Sequence, residues 1–377
     1  MAFFFIAGGV YSAIMAYMPV IKEHTQATNA QIGTAFFFFG VFSLIALFVS
    51  KNILEKIESA LVIFFCTLWM SMGICAIAFA SSPVQLYMCF GAMGLGVGVF
   101  DAAINVQGIL FEQRHKQQAL NFFHALCSGG GLALSIIAAL AASTALKPEV
   151  FFPCLAALFV GIGVLSKPGL LADDKKADEE KAGSEAEHKI PLIVIVCGLL
   201  TLLADASEGS IAEWGALYLV EEKDAPNALG ALVYGVFSAM SFVGRLAADP
   251  IREKVGSFVP IGIGLLLGLF GMLTVLFAES AYLCLFGYGV MGIGLAPVVP
   301  TLFSLAGSVP GISPQQASST VAFLAYGGLL FVPPCIGYLA QMSSLHSALF
   351  LVVVLLLVVF TASLFLRRLF VKSDGKA

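Results

Sequence analysis

The sequence predicts an all-α membrane protein of twelve transmembrane helices, arranged as two six-helix halves. Three observations predict it. First, 59% of the 377 residues are hydrophobic and 11% are charged, against about 25% charged in a soluble domain. Lipid is the solvent for most of such a chain. Second, the apolar residues fall into twelve runs, each near the roughly 20 residues a membrane helix needs. Third, one long polar stretch, 172–189, divides those runs six and six. The expected parts are an N-terminal half at 1–171, a cytoplasmic central loop at 172–189 and a C-terminal half at 190–377.

The first half holds spans at 2–21, 30–50, 59–80, 84–111, 118–143 and 149–171. The first begins apolar at Ala2 with no basic residue before it, so it reads as a spanning helix rather than a secretory signal. The second half holds spans at 190–220, 228–248, 257–278, 281–306, 316–340 and 345–369. Pro19, Pro297, Pro300, Pro333 and Pro334 interrupt spans 1, 10 and 11. They read as hinges or as kinks tolerated for packing. The 38 glycines let helix backbones approach closely.

Orientation follows Lys and Arg. All but Lys22, Lys147 and Lys223 of the nineteen fall on one side. That side, holding both termini and the central loop, is expected to be cytoplasmic, in a bacterial inner membrane. The eight cysteines all sit in apolar runs, with no CxxC pair and no zinc spacing, and read as small buried hydrophobes. No basic patch suggests nucleic acid. No GxSxG, HExxH or comparable set supports an intramembrane enzyme. No cofactor is expected.

The halves echo each other. Gly40-Val41-Phe42-Ser43 recurs as Gly235-Val236-Phe237-Ser238, and Met93-Gly94-Leu95-Gly96 as Met291-Gly292-Ile293-Gly294. Repeated halves are a common plan for transporters. The six-plus-six layout and Gly244-Arg245-Leu246-Ala247-Ala248-Asp249, followed by Arg252 and Gly256, resemble the major facilitator superfamily and its cytoplasmic G-R-x-x-x-D loop. The equivalent stretch after span 2, Ser50 to Lys56, lacks the Gly and Asp. Further segments resemble the bacterial branch containing the rhizopine permease: Asp101-Ala102-Ala103-Ile104-Asn105-Val106-Gln107-Gly108, Glu208-Gly209, Glu213-Trp214-Gly215-Ala216-Leu217-Tyr218-Leu219, Gly294-Leu295-Ala296-Pro297-Val298-Val299-Pro300 and Pro333-Pro334. The resemblance implies the major facilitator fold and a small polar solute such as a sugar, polyol or amino-polyol. It also implies that Gly244, Arg245, Asp249 and Arg252 form a gating network; plain positive-inside anchoring explains the arginines but not Asp249.

An ionisable group in the hydrocarbon region usually faces a cavity and marks a pathway. Five qualify: Asp101, His124, Asp205, Glu208 and Glu213. No Lys or Arg is expected deep in any span. Desolvation favours the neutral form of an unpaired carboxylate, so these groups suit proton coupling, with a cationic substrate or Na⁺ as alternatives. The lack of a deep cation argues against an anionic substrate. Asp101 and Asn105 are four apart and share a helix face. With His124 on the next span they would line one inner vestibule or form a polar clamp between helices. Asp205 lies three residues before Glu208 on the same face. Glu213 reads as a residue of the outer edge or gate. Trp214 is either a substrate platform or an interfacial anchor. The Ser128-Gly129-Gly130-Gly131 cluster invites comparison with an antiporter glycine motif, though it lacks the Pro. Tyr11, Tyr17, Tyr234, Tyr288 and Tyr326 are further cavity candidates.

The function expected is a secondary active transporter, working as a monomer by alternating access and coupled to protons. The competing reading is efflux of amphipathic or cationic compounds, favoured by the Phe36–Phe39 run but not by Asn105, Gln107 and Asn121.

Overall fold

The computed structural model describes residues 1–116, 120–173, 190–256, 258–309, 312 and 314–365. Most of the 172–189 stretch therefore lies outside the described residues, as does the side chain of Asn121. The described chain is helical, without strands. Among the described residues eleven helical segments are long and apolar enough to cross a membrane, and twelve if a bent pair counts as one span. The chain divides into two compact units, Met1–Glu187 and His188–Ala377.

The first unit opens with the bent pair, α1 (Ala2–Ala16) and α2 (Met18–Thr25), which meet at 51°. The bend falls beside Pro19, whose ring cannot continue the preceding helical hydrogen bonds. α3 (Asn29–Lys56) starts from a capping box in which Thr28 and Gln31 bond each other's backbone N–H. α4 (Ser59–Ala78), α5 (Pro83–His115), α6 (Leu120–Ser143) and α7 (Pro148–Ser166) follow. α5 packs on α3 and α4, α1 on α6, and α4 on α7.

The second unit contains α8 (Leu192–Glu222), α9 (Asn227–Val255), α10 (Phe258–Phe277), α11 (Ala281–Leu295), α12 (Val298–Gly307), α13 (Pro314–Met342) and α14 (Leu345–Phe365). α8 packs on α9, α13 and α14, and α11 on α9 and α10. α3 and α9 run past the expected ends at 50 and 248, because Ile-Leu-Glu-Lys and Arg-Glu-Lys segments remain good helix formers beyond the hydrocarbon edge. Pro297 caps α12, where α11 has just ended, so the expected break in span 10 is present. Pro333 and Pro334 lie within a continuous α13. The expected interruption of span 11 is absent; neighbouring helices can satisfy what the prolines free.

The internal repeat has a definite register. Ser43 Oγ donates to Gly94 O at 3.1 Å, and Ser241 Oγ donates to Gly292 O at 3.2 Å. A Cβ on Gly94 would run into the Phe39 carbonyl oxygen, and one on Gly292 into the Phe237 carbonyl oxygen. Ser43, Gly94 and Phe39 each lie 198 positions before their counterparts. The Met-Gly-x-Gly recurrence follows that register. The Gly-Val-Phe-Ser recurrence, offset by 195, does not, and is a coincidence of composition.

Candidate functional site

In the first unit, α5 and α6 bring Asp101, Asn105 and His124 together. Asn105 sits one turn beyond Asp101. Its Nδ2 donates to the Asp101 carbonyl at 2.8 Å and lies 3.5 Å from Asp101 Oδ1. His124 Nε2 lies 3.2 Å from Asn105 Oδ1. With Nε2 carrying hydrogen, the chain runs His124 to Asn105 to Asp101, each donor feeding the next acceptor. Asp101 and Asn105 are half-buried and His124 is exposed. The edge of the His124 ring meets Phe4, 5.3 Å between centroids, and Phe4 stacks on Phe123 at 5.4 Å. The imidazole is thereby backed by aromatic side chains with its polar edge towards α5. Such a chain can hold a proton or offer hydrogen bonds to a polar solute.

Gln107, two residues after Asn105, points elsewhere. Its Nε2 donates to Ser59 Oγ at 2.8 Å and Leu171 O at 2.7 Å, while Oε1 accepts from Leu171 N–H at 2.8 Å. Asp173 accepts from both the backbone and the hydroxyl of Ser59. The chain entering 172–189 is thus tied to α4 and α5. Two residues are about 200° apart around a helix, so Gln107 leaves the face of Asn105. Gln107, counted with Asn105 against the efflux reading, therefore serves as a clasp on the chain after α7. Ser59 and Asp173 carried no sequence signal, being 114 residues apart.

The glycine cluster of α6 has a packing role. Ser12 Oγ donates to Gly131 O at 2.7 Å, and a Cβ on Gly130 would collide with the backbone oxygen of Phe5. These contacts hold α1 against α6. The Phe36–Phe39 run likewise packs on α5: Phe36 and Phe39 meet Phe90, and Phe38 stacks on Tyr87.

In the second unit Asp205 and Glu208 are half-buried near the middle of α8. Arg245 on α9 acts electrostatically on both. Asp205 stands 17 residues from Glu222, and Arg245 18 residues from Asn227. At about 1.5 Å per residue both are roughly 26 Å from the same end of the α8–α9 hairpin. Arg245 stands three residues from the Ala248 end of its span, where it was expected. One expectation is corrected, since these two carboxylates do have a cation nearby.

Two of the other expected gating residues have described contacts. Gly244 packs against the backbone of α11 at Ile293. Arg252 Nη2 donates to Ser304 Oγ at 2.6 Å, linking α9 to α12. The side chain of Asp249 lies outside the described residues. Glu213 is 5% exposed and Trp214 is fully buried. Neither lies at the surface, and full burial rules out a headgroup anchor for Trp214 in this conformation. Gly215 makes room beside them for Val233 and for Tyr288, also buried. Tyr17 stacks on Phe151 at 4.4 Å and is buried, so it is a packing residue. No group of three or more His, Cys, Asp or Glu able to hold a metal occurs among the described residues.

Comparison with known proteins agrees with this architecture. The chain is 25% identical over 362 residues to an uncharacterised MFS-type transporter of Yersinia pestis, covering 94% of this chain and 92% of that one. It is 26% identical over 372 residues to the membrane protein MosC of Rhizobium meliloti, covering 97% and 88%. Among solved structures, the nucleoside transporter NupG superposes with a TM-score of 0.76 at 11% identity, covering 96% of this chain and 96% of that one. A bacterial homologue of the human lysosomal transporter Spinster, inward-facing and unoccupied, gives 0.74 at 12% identity, covering 98% and 96%. At such identities the likeness is one of fold. Residues 1–327 match the family model of the Major Facilitator Superfamily. The chain belongs to the Major Facilitator Superfamily and is a multi-pass membrane transporter rather than an enzyme.

Proposed function

We propose that the chain is a proton-coupled secondary transporter for a small neutral or cationic polar solute of the sugar, polyol or amino-polyol class. It works by alternating access in a bacterial inner membrane, as a monomer with both termini cytoplasmic. The observation that carries the reading is the Asp101–Asn105–His124 chain, a carboxylate, an amide and an imidazole linked within hydrogen-bond reach. The carboxylate and the imidazole can each take up or release a proton, and the amide between them holds both beside a polar solute. Asp205, Glu208 and Arg245 form the second polar cluster of the proposed pathway. Two acidic side chains beside one guanidinium suit a neutral or cationic solute better than an anionic one. Glu213 and Trp214 are proposed to act at the outer part of the pathway. Gly244, Arg245, Asp249 and Arg252 are proposed to govern gating, with Na⁺ as the alternative coupling ion.

The test is proton flux in proteoliposomes holding a pH dye, challenged with a panel of sugars, polyols, amino-polyols and cationic drugs. A solute-dependent pH change that Asp101→Asn abolishes is the expected result. Solute movement without proton flux, unchanged in Asp101→Asn, would sink the coupling claim.

A further inference from the structure

Between the end of α3, the start of α4 and the middle of α5 lies a groove of about 340 Å³. Its walls are Ile53 from α3, Ile57 just past its end, Val62, Phe65, Cys66 and Trp69 from α4, and Leu95, Gly96 and Val99 from α5. No charged side chain lines it. Phe65 is 63% exposed, and Ile57 and Trp69 nearly half exposed. Trp69 Nε1 donates to Ala92 O at 2.7 Å, so the indole presents an apolar wall. Gly96 is what lets the ring lie there: a Cβ would stand 2.5 Å from Trp69 Cδ1.

We propose that this groove is a phospholipid site, with one acyl chain along Val62, Phe65 and Trp69 and the phosphate at Lys56. Three features point to that occupant. The groove belongs to membrane-spanning helices and opens outward, where the solvent is hydrocarbon. It runs from the α3–α4 turn at Ser59 to Trp69, ten residues along α4, or about 15 Å. That is roughly half the ~30 Å hydrocarbon core, the reach of one leaflet. Lys56, the last residue of α3, is exposed; it follows the groove residue Ile53 by three positions and directly precedes Ile57, with the exposed Glu55 and Glu58 close to it in the chain. A polar end bearing a cation and an apolar end at mid-membrane match the two ends of a phospholipid.

The chain contains two tryptophans, and the buried Trp214 supplies an unquenched background. Delipidated full-length protein in detergent is titrated with phosphatidylglycerol or phosphatidylethanolamine carrying brominated chains, and tryptophan emission is read. The expected result is saturable quenching at about one lipid per chain. It is lost in Ile53→Phe/Val99→Phe, which fills the groove, and weakened about tenfold in Lys56→Ala, as for loss of one charged contact. Equal quenching by both lipids assigns recognition to the phosphate; quenching by phosphatidylglycerol alone assigns it to net negative charge. Phosphorus per chain, measured on the same preparations, must fall in the filled variant while size-exclusion behaviour stays monodisperse. Quenching that rises without saturating, or survives filling, would overturn the proposal. So would a chain dimer that shields Trp69 without bound phosphorus.

Discussion

Replacing Gln107 by Leu removes three hydrogen bonds at once: one to Ser59 Oγ and the donor–acceptor pair with the Leu171 backbone. At about 1 kcal/mol each, the loss is about 3 kcal/mol. Leu is close in size to Gln, so the change opens little space in α5. The cost falls on the segment ending at Asp173, which Gln107 and Ser59 hold down. Each 1.4 kcal/mol is a factor of ten, so the Leu171 amide should exchange with deuterated solvent about 100-fold faster, provided exchange proceeds by local opening. Peptides covering 165–173, followed by hydrogen-exchange mass spectrometry, give the rate. Ser59→Ala removes two hydroxyl contacts but keeps the Gln107–Leu171 pair and the Ser59 N–H bond to Asp173, so it should accelerate exchange less, by about thirtyfold. If Gln107→Leu leaves Leu171 exchanging within about threefold of the wild-type rate, the clasp carries no stability and the reasoning fails.

Gly130→Val should prevent α1 from seating on α6, costing about 3 kcal/mol or more, seen as loss of monodisperse protein on size-exclusion chromatography. Arg245→Gln should slow solute uptake at least about tenfold, because Asp205 and Glu208 lose their cation; uptake at the wild-type rate would remove Arg245 from the pathway. Ser43→Ala and Ser241→Ala should each cost about 1 kcal/mol and lower the detergent melting midpoint by similar amounts, since they break equivalent bonds. Glu149→Gln should shift that midpoint by less than about 2 °C, because the 3.7 Å ion pair with His24 is part-exposed.

How far the sequence could be read depended on the distance over which a feature is built. Asp101 and Asn105 belong to one turn of one helix, so helical spacing alone placed them together. His124 could be added because α5 and α6 are consecutive. The Ser59–Asp173 contact and the Tyr218–His346 bond, 3.0 Å across 128 residues, have no local pattern to betray them. Helix ends and burial were the other weak points: α9 continues seven residues past the expected end at 248, to Val255. Trp214 was judged by residue type, which suits an anchor, whereas its burial is decided by the neighbouring α9 and α11 and the space Gly215 leaves. The repeat was visible, but two glycine-rich matches at different offsets could not both be structural. Only the backbone contacts of Gly94 and Gly292 select one.

Those two crossings bear on how a transporter can move. Where Gly94 meets Phe39, and again where Gly292 meets Phe237, nothing flexible separates the two backbones. A joint of this kind cannot creep by rotamer changes, so α3 with α5, and α9 with α11, behave as welded struts. Any shape change within a half must then be taken up at softer points. The bend between α1 and α2 and the break ahead of α12 are the places where the hydrogen-bond ladder is already interrupted.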